Sequence, residues 1–123
     1  MTDERYAARV LVVEDEALVA MVICDDLLEL KYRVVGPYFS LQDAMRAVDS
    51  EQFDLAIVDV QLDQEMSYPL LDKLLVSRVP TIVATAYSDV DIPESFKHLP
   101  LLNKPFGLAA LAATLAAVKA DTN

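Results

Sequence analysis

The chain contains little cysteine, little glycine and no tryptophan. Its 123 residues include one cysteine and two glycines. The single cysteine, Cys24, excludes an internal disulfide and a zinc site built from cysteines. Because Cys24 falls within a helical apolar pattern, we expect an inert, buried thiol.

Positive charge is also scarce. Ten basic residues face 20 acidic ones, and the formal net charge is −10. This balance argues against direct binding to nucleic acid or to an anionic membrane, because both select basic surfaces. The polar, acidic residues 1–5 do not resemble a signal peptide, and no apolar run approaches the ~20 residues of a membrane span. We therefore expect a cytoplasmic protein that binds a cation or a basic partner surface.

What the chain does have is a high apolar content, arranged in alternating patterns. Hydrophobic residues make up 54% of the sequence, and 123 residues suffice for one domain with a real core. Short apolar runs rich in β-branched residues predict strands over 9–15, 32–35, 54–60, 80–86 and 99–103. Helical spacing predicts helices over 16–31, 41–48, 70–77 and 108–119, with one helical turn over 93–97.

Strands that alternate with helices imply right-handed βαβ crossovers and helices on both faces of a parallel sheet. We predict a doubly wound α/β fold of five strands. The flavodoxin-like order 2-1-3-4-5 is a common one for such sheets, and we adopt it here as the expected topology. The whole chain, residues 1–123, is read as a single domain with its core at about 8–120.

Local signals add detail to this outline. Ser40 is a candidate helix cap, with Asp43 three residues on. Gly36-Pro37 is expected to stop the second strand. Residues 61–67 are read as a polar loop, whose acids Asp63 and Glu65 are expected to be solvated.

Apolar residues on two helices exceed what one buried face requires. In the first helix the core stripe is predicted from Val19, Val22, Ile23, Leu27 and Leu30. Leu18, Met21 and Leu28 fall outside that stripe. The last helix carries many alanines. Exposed apolar patches often mark interfaces, so one of these faces is expected to bind a partner. A second copy of the chain, forming a homodimer, is one candidate for that partner.

Polar side chains follow four of the five predicted strands. Glu14 and Asp15 end the first strand, Asp59 the third, Thr85 the fourth, and Lys104 follows the fifth. In this topology those carboxyl ends meet around one crevice. Taken alone, Asp59 is equally well explained as the cap of a following turn. The set as a whole favours a site.

The chemistry of the set indicates magnesium and phosphoryl transfer. Clustered carboxylates repel one another and require a cation, and hard oxygen ligands without histidine or cysteine select Mg²⁺. A carboxylate beside Mg²⁺ can attack a phosphoryl group and form an acyl phosphate. Lysine then pairs with a phosphoryl oxygen, and threonine donates a hydrogen bond to another. The lone histidine, His98, lies away from this edge and is assigned to the surface or to packing.

These motifs resemble the receiver domain of bacterial two-component response regulators over about residues 8–120. The resemblance implies that Asp59 accepts a phosphoryl group from a histidine kinase or a histidine phosphotransfer protein. The domain then switches its binding to an output protein whose identity the sequence does not give. Apart from catalysing its own phosphorylation and dephosphorylation, such a protein is not an enzyme.

The resemblance also implies roles for the other site residues. Asp15 and Asp59 would bind Mg²⁺ together with the backbone carbonyl of Gln61, and Glu14 would act through water. Thr85 would move toward the phosphoryl group and Lys104 would hold it. The Lys104-Pro105 peptide bond is expected to be cis.

The chain departs from the common receiver pattern at several positions. Receivers usually carry Phe or Tyr three residues before the lysine, where this chain has Leu101, so the usual coupling of threonine to an aromatic ring cannot operate in its common form. Residues 80–87 and 67–72 resemble the FATGUY subfamily of receivers. Tyr87 either takes over the switching or only covers the site. The short stretch from Thr85 to Lys104 implies a stunted or irregular fourth helix.

Other functions remain open at this stage. Asp59 could serve a phosphate sink or a phosphorelay shuttle without a conformational output. A phosphatase of the haloacid dehalogenase type needs a second acid two residues after the nucleophile, and Gln61 stands there. A pseudo-receiver that is never phosphorylated would not need the complete residue set. The chain fits either a stand-alone regulator or the N-terminal domain of a longer one.

Overall fold

A five-stranded parallel sheet forms the centre of the structure, a computed structural model that describes residues 7–86 and 92–121. The strands in chain order are β1 (Arg9–Val13), β2 (Arg33–Tyr38), β3 (Leu55–Asp59), β4 (Gln61–Leu62), β5 (Glu65–Met66), β6 (Thr81–Thr85) and β7 (Leu101–Asn103). The sheet has the order β2-β1-β3-β6-β7, and β4 and β5 form a separate hairpin. Counted within the sheet alone, this is the predicted order 2-1-3-4-5.

Helices cover both faces of the sheet. They are α1 (Ala17–Glu29), α2 (Leu41–Ser50), α3 (Tyr68–Val76) and α4 (Leu108–Asp121), with a 3₁₀ turn at Glu94–Phe96. One core cluster joins the sheet to α2 and α3, and the other joins it to α1 and α4. All five residues of β3 are buried, because the strand lies at the centre of the sheet with helices on both sides. No helix within the described ranges is long and apolar enough to cross a membrane.

The helix ends compensate for the scarcity of glycine. The Ser40 hydroxyl accepts a hydrogen bond from the Asp43 amide and caps α2, as predicted. Helices α1 and α3 are each followed, two residues after their last residue, by a left-handed residue: Lys31 (φ 72°) and Arg78 (φ 60°). In each case the next amide donates to a carbonyl five residues back, from Tyr32 to Leu27 in the first helix. This arrangement satisfies carbonyls that the helix end would otherwise leave unpaired.

Three sequence predictions are wrong in detail. Strand β2 does not stop at Gly36-Pro37 but continues to Tyr38, which an edge strand permits because proline needs no ladder partner there. The loop after Asp59 is not wholly polar: it forms the β4–β5 hairpin, in which Leu62 is buried. Val22 is 56% exposed and lies outside the core stripe, together with Leu18, Met21 and Leu28.

Other local predictions are confirmed. The Lys104-Pro105 bond is cis, and His98 is exposed. Between Thr85 and Lys104 the described residues contain a single 3₁₀ turn in place of a fourth regular helix. Cys24 is only partly buried, so its predicted burial is incomplete, but burial still raises the pKa of its thiol, which fits an unreactive side chain.

Gly36 provides a test of this fold. Its φ of +107° lies in the region that glycine favours, and a Cβ there would come within 2.9 Å of the Tyr38 amide nitrogen. We expect Gly36→Ala to lower the free energy of unfolding by about 2–3 kcal/mol. Gly107→Ala is the matched control, because nothing lies within 4 Å of a Cβ there. Equal losses in denaturant titrations of the two variants would contradict the assigned strain at Gly36.

Candidate functional site

The carboxyl edge of the sheet brings the predicted site residues together. Glu14 and Asp15 follow β1, Asp59 ends β3, Thr85 ends β6 and Lys104 follows β7. Four of these five residues line a cavity of about 220 Å³; Glu14, which is 1% exposed, is not part of the lining. The cavity exists because neighbouring parallel strands end at the same edge of the sheet.

Lys104 lies between two buried carboxylates. Its ammonium nitrogen Nζ is 2.7 Å from Glu14 Oε1 and 2.7 Å from Asp59 Oδ2. The Lys104 side chain is 11% exposed, and those of Glu14 and Asp59 are 1% and 7% exposed. Such charges are tolerated in the interior only when they are paired and hydrogen-bonded.

The pKa values reflect this burial. Burial raises the pKa of Glu14 to about 7, although hydrogen bonds from Lys104 and from the Glu16 amide act in the opposite direction. Burial lowers the pKa of Lys104, but its bonds to Asp59 and Glu14 outweigh that effect, so the pKa lies above its ordinary value. The lysine therefore stays protonated and supplies the site's fixed positive charge.

Backbone amides hold the remaining oxygens of the same two carboxylates. Glu14 Oε2 accepts from the Glu16 amide at 3.1 Å, and Asp59 Oδ1 accepts from the Gln61 amide at 3.1 Å. Both oxygens of each buried carboxylate are thus engaged. The Asp59 carboxylate, which lines the cavity, is thereby fixed in orientation.

Asp15 is held differently. Its Oδ2 accepts from the Asp63 amide at 2.7 Å, and within residues 7–86 and 92–121 its Oδ1 accepts no hydrogen bond. One oxygen from each of Glu14, Asp15 and Asp59 lies within 4.8 Å of the others. Three hard oxygen donors at this spacing suit Mg²⁺, which prefers carboxylates and retains several waters. The residue set therefore fits the metal that the sequence predicted.

Thr85 and Lys104 are joined through the sheet. Thr85 is fully buried, and its backbone carbonyl accepts from the Lys104 amide at 2.7 Å. Leu101, which stands where receivers usually carry an aromatic residue, lies on β7 and is 40% exposed. Tyr87 lies outside the described residues.

Sequence reasoning missed the hydrogen bond between Asp63 and Asp15. The sequence predicts a solvated loop at Asp63, and the side chain of this residue is exposed. Its backbone amide, however, reaches a carboxylate 48 residues away. A bond from a backbone group leaves no residue-type signature, although an aspartate in a hairpin turn is a weak sign of left-handed backbone.

Replacing Lys104 tests the electrostatics of the site. Lys104→Met leaves two buried carboxylates without their cation, so we expect the free energy of unfolding to fall by about 3–5 kcal/mol without metal. Lys73→Met is the control, because it removes an ion pair at 3.0 Å whose Asp49 partner is 71% exposed. That pair is worth at most about 1 kcal/mol. Similar losses in denaturant titrations of the two variants would contradict a buried, lysine-dependent charge cluster.

Comparison with known proteins gives a consistent answer. Residues 10–116 match the family model for the response regulator receiver domain. The transcriptional regulatory protein PdtaR of Mycobacterium tuberculosis (strain H37Rv) is 31% identical over 113 residues, which cover 89% of this chain and 55% of that protein. The chain thus spans about half the length of the curated relatives it matches.

Solved structures show the same likeness. SdrG from Sphingomonas melonis Fr1 is 34% identical with a TM-score of 0.82, and the match covers 95% of this chain and 98% of that one. The BeF3-activated conformation of SdrG from Pseudomonas melonis Fr1 gives a TM-score of 0.79 at 34% identity, and the match covers 92% of this chain and 98% of that one. The receiver domain of PhyR from Erythrobacter litoralis gives 0.77 at 27% identity and covers 94% and 92%. The chain belongs to the response regulator receiver family of two-component systems.

Proposed function

We propose that this chain is a phosphorylation-dependent signalling switch. Receiver domains take phosphoryl groups from histidine kinases and bind Mg²⁺ at an acidic pocket. In this chain Asp59 is the phosphoacceptor, and its donor is a histidine kinase or a histidine phosphotransfer protein. The observation that carries the proposal is the buried Asp59 carboxylate, 2.7 Å from the Lys104 ammonium and beside two further acids.

Mg²⁺ would be held by Asp15, by Asp59 and by the backbone carbonyl of Gln61, with Glu14 acting through water. When bound, the metal supplies positive charge that stabilises the transferring phosphoryl group. The donor set supports this assignment, because carboxylate oxygens are the ligands that Mg²⁺ prefers.

The transfer itself follows from the position of Asp59. One carboxylate oxygen attacks the phosphorus atom, the P–N bond to the donor imidazole breaks, and its electron pair returns to the imidazole nitrogen. The product is an acyl phosphate on Asp59. The Lys104 ammonium moves from Asp59 Oδ2 to a phosphoryl oxygen, while the Gln61 amide keeps the other carboxylate oxygen in place.

The conformational response is assigned to Thr85. Its hydroxyl would turn toward the phosphoryl group and pull the end of β6 with it, which changes the surface that an output protein contacts. Leu101 cannot provide the aromatic partner of that motion. Pro80, Ala84 and Thr85 support membership of the FATGUY subfamily.

The remaining parts of the proposal concern the protein's surroundings. Residues 1–123 act as one receiver domain, which works in the cytoplasm, where it meets its kinase. A net charge of −10 supports protein partners in preference to nucleic acid or anionic membrane. A homodimer remains open.

Phosphorylation at Asp59 is directly testable. With Mg²⁺ and acetyl phosphate, we expect the wild-type protein to gain the mass of one phosphoryl group, and Asp59→Asn to gain none, because the nucleophilic oxygen is replaced. Asp54→Asn is the matched control: it changes the aspartate just before β3, whose Oδ2 accepts from the Arg9 amide. Intact-mass spectrometry measures the mass that each of the three proteins gains. A phosphoryl group retained by Asp59→Asn would refute the assignment.

The role of Thr85 is tested separately. We expect Thr85→Ala to be phosphorylated almost as well as wild type but to show much smaller amide chemical-shift changes on phosphorylation, because the hydroxyl that follows the phosphoryl group is gone. Thr81→Ala is the control at the other end of β6, where the hydroxyl bonds to the Val79 carbonyl. If Thr85→Ala shows the same shift changes as wild type, threonine does not drive the switch.

A further inference from the structure

We infer that the β4–β5 hairpin positions Asp15 for metal binding, through the backbone N–H of Asp63. The inference rests on the proposed function, since it concerns the same magnesium site. Its basis is the 2.7 Å hydrogen bond from the Asp63 amide to Asp15 Oδ2. Asp63 is thus a positioning residue: it fixes one carboxylate oxygen of a metal ligand and leaves the other available to the cation.

The hairpin has the rigidity that this role requires. Its strands pair Gln61 with Met66, and Leu62 is 1% exposed within the core. At its base the Ser67 hydroxyl and the Ser67 amide both donate to the Val60 carbonyl, at 3.0 and 2.9 Å. Ser67 itself is fully buried. Burial and hydrogen bonding at the base therefore leave the tip little freedom to move.

The backbone at the tip is unusual and directs the amide. Asp63 has a φ of 57°, in the left-handed region, whereas Gln64 beside it does not have a positive φ. Aspartate and asparagine tolerate this conformation, but β-branched residues do so poorly. The resulting N–H lies within short, charge-assisted hydrogen-bond distance of Asp15.

Asp15 depends on this bond more than its neighbours depend on any single contact. Strand β1 ends at Val13, so Asp15 lies beyond the sheet ladder. Glu14 and Asp59 each accept a hydrogen bond from the Lys104 ammonium and a second one from a backbone amide. Within the described part of the chain, the Asp63 amide is the one hydrogen-bond donor to the Asp15 carboxylate. Loss of that donor would let the carboxylate rotate away from the other two acids.

The test compares Mg²⁺ affinity among three tip variants, measured by calorimetry with the metal alone. Asp63→Val disfavours the left-handed backbone and displaces the amide, so we expect Mg²⁺ binding to weaken roughly 10-fold, as for other groups that orient metal ligands. Asp63→Asn keeps both the backbone and the amide, and removes only an exposed, screened charge, so its loss should be much smaller. Gln64→Val introduces the same β-branched residue one position along and should bind as wild type does.

A second measurement needs no metal. In wild-type protein the Asp63 amide should be protected from hydrogen exchange, and Asp15→Ala should remove that protection while the amides of β3 stay protected. This comparison also decides the matter if Asp63→Val fails to fold. Equal Mg²⁺ affinities for folded Asp63→Val and Gln64→Val, or an Asp63 amide that exchanges freely in wild type, would overturn the inference alone. A wild-type protein that binds no Mg²⁺ would overturn the proposed function with it.

Discussion

One ammonium group between two buried carboxylates is the interaction on which the functional end of this protein depends. Lys104 contacts Glu14 and Asp59 at 2.7 Å each, and all three side chains are nearly inaccessible to solvent. Three separate strand ends supply these charges, so the pairing forms only when β1, β3 and β7 end at one edge of the sheet. Removing the ammonium would leave buried charge without compensation, which ties the stability of the fold to the chemistry of the site.

The alternation of strands and helices and the polar residues at the strand ends could be predicted from sequence, because Glu14, Asp59 and Thr85 each directly follow an apolar run. The strand order rests as much on the resemblance to receiver domains as on that alternation. The continuation of β2 past Gly36-Pro37 could not, since these residues break most strands and only the edge position tolerates them. The sequence wrongly predicts Val22 in the core stripe, because α1 is apolar on more than one side and periodicity then fails to single out the buried face. It predicts a polar loop in place of the hairpin after Asp59, because the single buried residue of that hairpin, Leu62, gives no periodic signal.

The same hairpin links the two ends of the proposed mechanism. It begins directly after Asp59, whose Oδ1 accepts from the Gln61 amide, and its tip donates to Asp15. The proposed phosphoacceptor and a proposed metal ligand therefore both bond to one short element. In a receiver with Leu101 where an aromatic ring is usual, we propose this element as a second place, beside the end of β6, where phosphorylation would change local contacts.

The most direct measurement is a crystal structure of the protein in complex with Mg²⁺ and beryllofluoride, which mimics the phosphoryl group. We predict that the beryllium is bonded to an Asp59 oxygen, that the Lys104 ammonium contacts a fluorine, and that Mg²⁺ is coordinated by Asp15, Asp59 and the Gln61 carbonyl. Beryllofluoride bound to another residue, or Mg²⁺ held without Asp15 and Asp59, would contradict the central claim that this strand-end cluster is a phosphoryl-accepting magnesium site.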